Sequence, residues 1–135
     1  MIKVLDLMVG DLLRVNKDVC LKKGTIVEVR GIDADNRLPE KGLVGSVSCV
    51  AVGDPDRMSG GVWCEYLDPI PITPEILERN GFIYLDGSWW YLDLRIVLES
   101  SKGVSLVCGR QVKFSYIHEL QHLFKNCSIN HAFKL

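Results

Sequence analysis

No apolar run in this sequence approaches the ~20 residues that a helix needs to cross a bilayer. The opening Met1-Ile2-Lys3-Val4-Leu5-Asp6 lacks the apolar centre of a secretory signal. Five cysteines, at positions 20, 49, 64, 108 and 127, contain no Cys-x-x-Cys pair. An odd set without that spacing is neither a disulfide framework nor a zinc ribbon. An excess of one charge is missing as well. Sixteen Lys and Arg against 17 Asp and Glu leave a formal net charge of −1, which provides no global basic footprint for nucleic acid or a membrane surface. No Gly-x-Gly-x-x-Gly or P-loop pattern is present, so no nucleotide site is indicated. What remains is an ordinary folded composition, 47% apolar and 24% charged in 135 residues, enough for one domain or two small ones. The expectation is a cytoplasmic chain with reduced thiols.

The first half reads as β-structure. Leu12 to Val15 make a short apolar run. Gly24 to Ile32 then carries the clearest alternation, with Val27, Val29 and Gly31 on one face and Ile26, Glu28 and Arg30 on the other. Asp33 to Gly42 is polar and turn-rich, the pattern of a loop. Leu43 to Val52 reads as a strand, Gly53 to Gly61 as a long turn, and Val62 to Leu67 as another strand. Short strands with polar loops predict a small barrel over residues 1–68. The opening Val9-Gly10-Asp11-Leu12-Leu13-Arg14-Val15 with Gly24 to Ile32 resembles the start of an SH3-like barrel. That architecture hosts peptide, RNA and purely structural roles.

Asp68 to Pro74 holds three prolines in six residues, a stiff extended connector. Thr73 reads as an N-cap with Pro74 as the first helical residue, and Asn80-Gly81 closes a helix of about two turns. Residues 69–135 then predict an α/β unit. Phe82 to Leu85 is a strand, Asp86-Gly87 a two-residue hairpin turn, and Trp89 to Leu92 the returning strand. Leu94 to Glu99 and Val104 to Cys108 continue the meander. Ser115 caps a last helix whose apolar positions Tyr116, Ile117, Leu120, Leu123, Phe124 and Cys127 keep helical spacing. The fold class is therefore α+β: a small SH3-like β-barrel, then an antiparallel meander flanked by a short helix and a C-terminal helix.

That last helix contains His118-Glu119-x-x-His122, the spacing that brings two imidazoles to one zinc ion with a glutamate as general base. A third ligand is the discriminating requirement. Only thirteen residues follow His122, too few for a downstream helix bearing a carboxylate. Lys125 and Ser128 stand where a metzincin requires Gly and His. An earlier cysteine, Cys108 or Cys64, is the remaining way to complete a site, but the glycine-rich and Glu-Gly-Cys-Leu-Ser segments of peptide deformylases are absent. A polar helix face carrying His, Glu, Gln, His and Lys reads more simply as a solvated face. Trp89 and Trp90, adjacent on a strand, must point to opposite faces, so one of them leaves the core or meets a partner.

Pro69-Ile70-Pro71-Ile72-Thr73-Pro74-Glu75-Ile76-Leu77-Glu78-Arg79-Asn80-Gly81-Phe82, then Leu94-Arg95-Ile96, then Ile117-His118-Glu119-Leu120-Gln121-His122-Leu123 form a spaced pattern. Over Asp68 to Cys127 the chain resembles uncharacterised small proteins encoded in prophages and mobile elements of Bacteroides-type bacteria. In that group the first segment reads "PIPLTEEIL.KNGF" and the last "YVHELQHL" or "YLHQLQNLY". The resemblance implies that Glu119 and His122 are dispensable to the shared structure, which keeps the Leu120 and Leu123 stripe. The expected function is a non-enzymatic accessory protein with a protein partner, Trp89 and Trp90 being the interaction candidates. No catalytic residue, metal or cofactor is expected. The alternative is a zinc-dependent hydrolase with His118, His122 and Cys108 as ligands and Glu119 as base. Neither a membrane nor a nucleic-acid partner is expected, and self-association is left open.

Overall fold

The computed structural model describes residues 2–99, 102–107 and 110–135. It is α+β, with two antiparallel sheets and few helices, and it divides into two compact units, Met1–Ile70 and Pro71–Leu135. Among the described residues no helix is long and apolar enough to cross a membrane.

The first unit is a five-stranded sheet of β1 (Leu12–Val15), β2 (Ile26–Leu38), β3 (Leu43–Ala51), β4 (Asp54–Trp63) and β5 (Leu67–Pro69), in the order β4-β3-β2-β1-β5. Alternation drives β2: Val27 and Val29 are fully buried while Arg30 is exposed. Leu13, Val15, Val47, Cys49, Cys64 and Leu67 complete the same core. The hydrogen-bonded ladder runs from β4 to β5, and no ladder joins these two edges among the described residues, so the sheet is not a closed barrel.

Two stretches expected to be loops are strands. Asp33 to Leu38 continue β2, pairing Asp33 with Ser46 and Arg37 with Val44 across an irregular register. Their exposure alternates, with Ala34, Asn36 and Leu38 half-buried between exposed neighbours. A backbone ladder tolerates polar side chains on the face of the ribbon that meets water. Likewise the long turn expected at Gly53 to Gly61 shrinks to Val52-Gly53, because Ala51 pairs directly with Asp54. Pro55 is compatible with β4 because β4 is an edge strand. Conversely, the strand expected over Val62 to Leu67 is broken by a 3₁₀ turn at Cys64–Tyr66 before β5 pairs with β1.

The second unit is a pure meander, β10-β9-β8-β7-β6, of β6 (Ile83–Leu85), β7 (Ser88–Tyr91), β8 (Leu94–Glu99), β9 (Lys102–Val107) and β10 (Arg110–Phe114). Helix α1 (Pro74–Arg79) begins where capping chemistry places it: Thr73 Oγ1 accepts the Ile76 N–H at 3.3 Å, and Pro74 fills the first helical position. Asp86 and Gly87 take φ of 51° and 79°, the left-handed pair of a type I′ turn, whose twist matches the strands it joins. Strand β10 had no counterpart in the sequence reading. Its alternation is muted because Gln111 and Lys113 are exposed at the sheet edge while Phe114 is buried.

Register fixes which side chains share a face. Tyr84, Trp89, Ile96, Ser105 and Val112 form one cross-strand row, and Trp90 pairs with Arg95 on the opposite face. Helix α2 (Ile117–Asn126) buries Ile117, Leu120, Leu123 and Phe124. The Phe124 ring lies 5.3 Å from the Tyr91 ring of β7, so α2 covers the face that carries Trp89 and Ile96.

Candidate functional site

Helix α2 starts at Ile117, with Tyr116 rather than Ser115 as its N-cap residue. Glu119 is then the third helical residue, next to backbone N–H groups that have no intrahelical acceptor. Its Oε1 accepts the N–H of Ser115 at 3.1 Å and of Tyr116 at 3.2 Å, the return arm of a capping box. That oxygen is committed to starting the helix. A general base needs its lone pairs aimed at a water or a substrate instead.

The two histidines have different surroundings. His118 is 6% exposed and stacks on the Tyr116 ring, centroids 5.9 Å apart and planes at 12°. This corrects the solvated-face expectation for that residue: the apolar stripe is wide enough to take the imidazole inside with Ile117. His122 is half-buried, and its ring meets that of His118 edge-on at 5.8 Å. A hollow of about 280 Å³ between α2 and β10 is lined by Glu119 and His122, together with Val112, Lys113, Phe114, Leu123 and Asn126. His118 is not among its walls. Cys108 lies outside the described residues, and Cys64 sits in the core of the first unit. Among the described residues no group of three His, Cys, Asp or Glu side chains is placed to hold a metal ion.

The third histidine has a structural role that sequence spacing could not show. Asn80 ends α1 with its amide buried. Its Nδ2 donates to the Ile76 carbonyl at 2.8 Å and to the Lys134 carbonyl at 2.7 Å, and its Oδ1 accepts the Lys134 N–H at 2.7 Å. The Lys134 backbone fixes which amide atom is which. The 3.2 Å contact from His131 Nε2 to Asn80 Oδ1 must therefore be an N–H donation. His131 Nδ1 is left to accept from the Tyr91 hydroxyl at 3.1 Å. The imidazole lies among the rings of Tyr91, Phe124 and Phe133. Burial, and then the charge of Lys134, hold it below the usual histidine range. A helix end and a tail segment 54 residues apart are thus latched by one side-chain amide. The sequence shows only Asn80-Gly81 as a helix stop.

The tryptophans lie on opposite faces. Trp89 is half-buried, its ring 5.1 Å from that of Tyr84. Trp90 is 37% exposed with the Arg95 guanidinium 5.8 Å above its ring, and its indole N–H donates to the Leu85 carbonyl at 3.4 Å. Beside them is a further exposed surface. Ile83, Tyr84 and Leu85, the whole of β6, are 67%, 60% and 60% exposed. Strand β6 is an edge strand without the charges or prolines that usually blunt such an edge. Comparison of the chain with protein-family models, with curated proteins and with solved structures finds no match.

Proposed function

We propose that the chain is a non-enzymatic accessory protein that works through protein contacts, with the β6 edge of the second unit as its contact surface. The observation that carries this reading is the run Ile83-Tyr84-Leu85, exposed along its whole length at a sheet edge, with Trp90 alongside. Contiguous apolar surface of this kind is costly to leave in water and marks contact sites, and aromatic residues dominate such contacts energetically. A zinc hydrolase built on His118, His122 and Glu119 has less support, because the Glu119 carboxylate serves as a helix cap. Origin in a prophage or mobile element is part of the proposal and rests on the three spaced segments between Asp68 and Cys127. A reducing, cytoplasmic setting is part of the proposal and rests on the odd set of five cysteines without a Cys-x-x-Cys pair.

For the first unit we propose an SH3-like architecture. Support comes from the order β4-β3-β2-β1-β5, from the long and irregular β2 shared along the sheet, and from the 3₁₀ turn that precedes β5.

The contact reading is tested with a photoreactive phenylalanine analogue at position 84, and at exposed Val52 of the first unit as control. After irradiation in a native-host lysate, position 84 should give a discrete protein adduct that Trp90→Ala weakens and that position 52 does not give. Identical products from the two positions would refute it.

A further inference from the structure

Beside β6 lies a hollow of about 380 Å³ lined by Glu78, Phe82, Ile83, Tyr84 and Trp89. The tilted Tyr84 and Trp89 rings stand 5.1 Å apart on one wall. Glu78, near the end of α1, brings the carboxylate, and among the described residues Glu78 has no ion pair. Aromatic faces carry negative potential and attract a cation placed over them. A lining that combines a glutamate side chain with two such rings is complementary to an organic cation and to nothing anionic. The volume falls within the range of small-ligand sites and admits a long aliphatic side chain with a charged tip.

The edge strand says what carries that cation. In a two-residue hairpin the pair next to the turn, here Leu85 and Ser88, exchanges both backbone hydrogen bonds, and the next pair exchanges none. Tyr84 is in that next pair, so its N–H and C=O point away from β7, and among the described residues no strand lies beyond β6. A polypeptide laid along this edge would place one residue directly opposite Tyr84. Directly opposite residues share a face of the sheet, so that side chain emerges on the Tyr84 and Trp89 side, over the hollow. Its two neighbours emerge on the other side, against exposed Ile83 and Leu85.

We propose that the second unit recognises an extended segment of a partner protein by strand addition to β6. The partner's lysine or arginine sits opposite Tyr84 and enters the Glu78–Tyr84–Trp89 hollow, flanked by apolar residues on both sides. Backbone pairing supplies affinity and the hollow supplies selectivity, the usual division of labour in strand addition. This inference rests on the contact reading above and names the partner's chemistry.

The test is a ¹H–¹⁵N NMR titration of the full chain with acetyl-Thr-Val-Lys-Val-Thr-amide and with the same peptide carrying norleucine, which keeps the aliphatic stem and removes the charge. The lysine peptide should shift the Trp89 indole N–H and protect the Tyr84 amide from exchange. It should bind about fivefold tighter than the norleucine peptide, as expected for a partly exposed cation–aromatic contact. Glu78→Gln and Tyr84→Ala, both at exposed positions, should each erase most of that preference while leaving remote resonances in place. Equal binding of the two peptides, or no shift with either at millimolar concentration, overturns the proposal. A shifted Trp89 with an unprotected Tyr84 amide overturns strand addition. If position 84 crosslinks to a partner while the peptides fail, the cationic strand is refuted and the contact surface stands. If neither works, both fall.

Discussion

Replacing Asn80 by alanine should release the C-terminal segment of the second unit. The amide uses its whole hydrogen-bonding capacity: two N–H donors to the carbonyls of Ile76 and Lys134, and two acceptor positions for Lys134 N–H and His131 Nε2–H. These contacts do not count equally. The Ile76 carbonyl also accepts the Asn80 backbone N–H at 3.1 Å, so losing the side-chain donor there costs little. The other three bonds hold residues that would return to water once released, so each is valued at its net contribution of about 1 kcal/mol rather than at a full desolvation penalty. The expected loss is therefore roughly 3 kcal/mol. At ~4–8 °C per kcal/mol for a small domain, the unfolding transition of the second unit should fall by more than about 10 °C. Calorimetry reads the transition, and hydrogen exchange at the Lys134 amide reads the latch itself. Asn80→Asp keeps the acceptor but sets a buried carboxylate oxygen against the Ile76 and Lys134 carbonyls, so it should destabilise at least as much as alanine. A drop of under about 3 °C, with the Lys134 amide still protected, would refute the reasoning, because the tail would then be held by its aromatic contacts alone.

Stability should also depend on pH through His131. Its folded pKa is lowered by burial and by Lys134, so the unfolded chain binds more protons in the window below the ordinary histidine value near 6.5. Stability contributed by the neutral ring is then complete above that value and is lost as pH falls through it. Urea midpoints measured between about pH 7.5 and 5 should fall more steeply for wild type than for His131→Gln. Parallel curves would remove His131 as the cause. Among the thiols, burial pushes Cys49 and Cys64 up to about 11, with the Glu65 charge adding to the shift at Cys64. A disulfide reagent at neutral pH should accordingly modify exposed Cys20 first and reach Cys49 and Cys64 only on unfolding. Early labelling of either buried thiol by mass spectrometry would contradict the packing of the first core. Gly45 has φ of +81°, and an added Cβ would lie 2.5 Å from the Val4 side chain. Gly45→Ala should therefore cost about 2 kcal/mol or more through combined strain and overlap, and an unchanged denaturation midpoint would refute that.

Legibility in the sequence followed the physical range of each signal. Strand β2, the Thr73-Pro74 helix start, the Asp86-Gly87 turn and the α2 stripe were readable because each is set by residues within one or two turns of chain. The two missed ribbons, Asp33 to Leu38 and Asp54 to Gly61, have no apolar face to betray them. Their strand character comes from pairing with β3, whose Val47 and Cys49 are buried. The Asn80 latch was invisible because it joins positions 54 residues apart. Exposure of β6 was invisible for a related reason. Ile83-Tyr84-Leu85 looks like any core strand until the sheet order places it at the edge.

The His-Glu-x-x-His motif shows why spacing needs a helix boundary before it carries chemistry. A spacing of four positions puts both imidazoles on one side of any helix, and the ring separation of 5.8 Å bears that out. The same spacing says nothing about where the helix begins. With α2 starting at Ile117, Glu119 falls among the helix's unpaired N–H groups and answers their need for an acceptor. Had the helix begun a turn or two earlier, those groups would have been satisfied upstream and the carboxylate would have been free to face a cleft. The backbone between Phe114 and Ile117 decides the matter. The Ser115 carbonyl accepts Ile72 N–H at 3.1 Å and Tyr116, itself extended, bridges to Pro71, which keeps α2 from starting sooner. Pro71 and Ile72, at the start of the second unit, thereby set the role of Glu119.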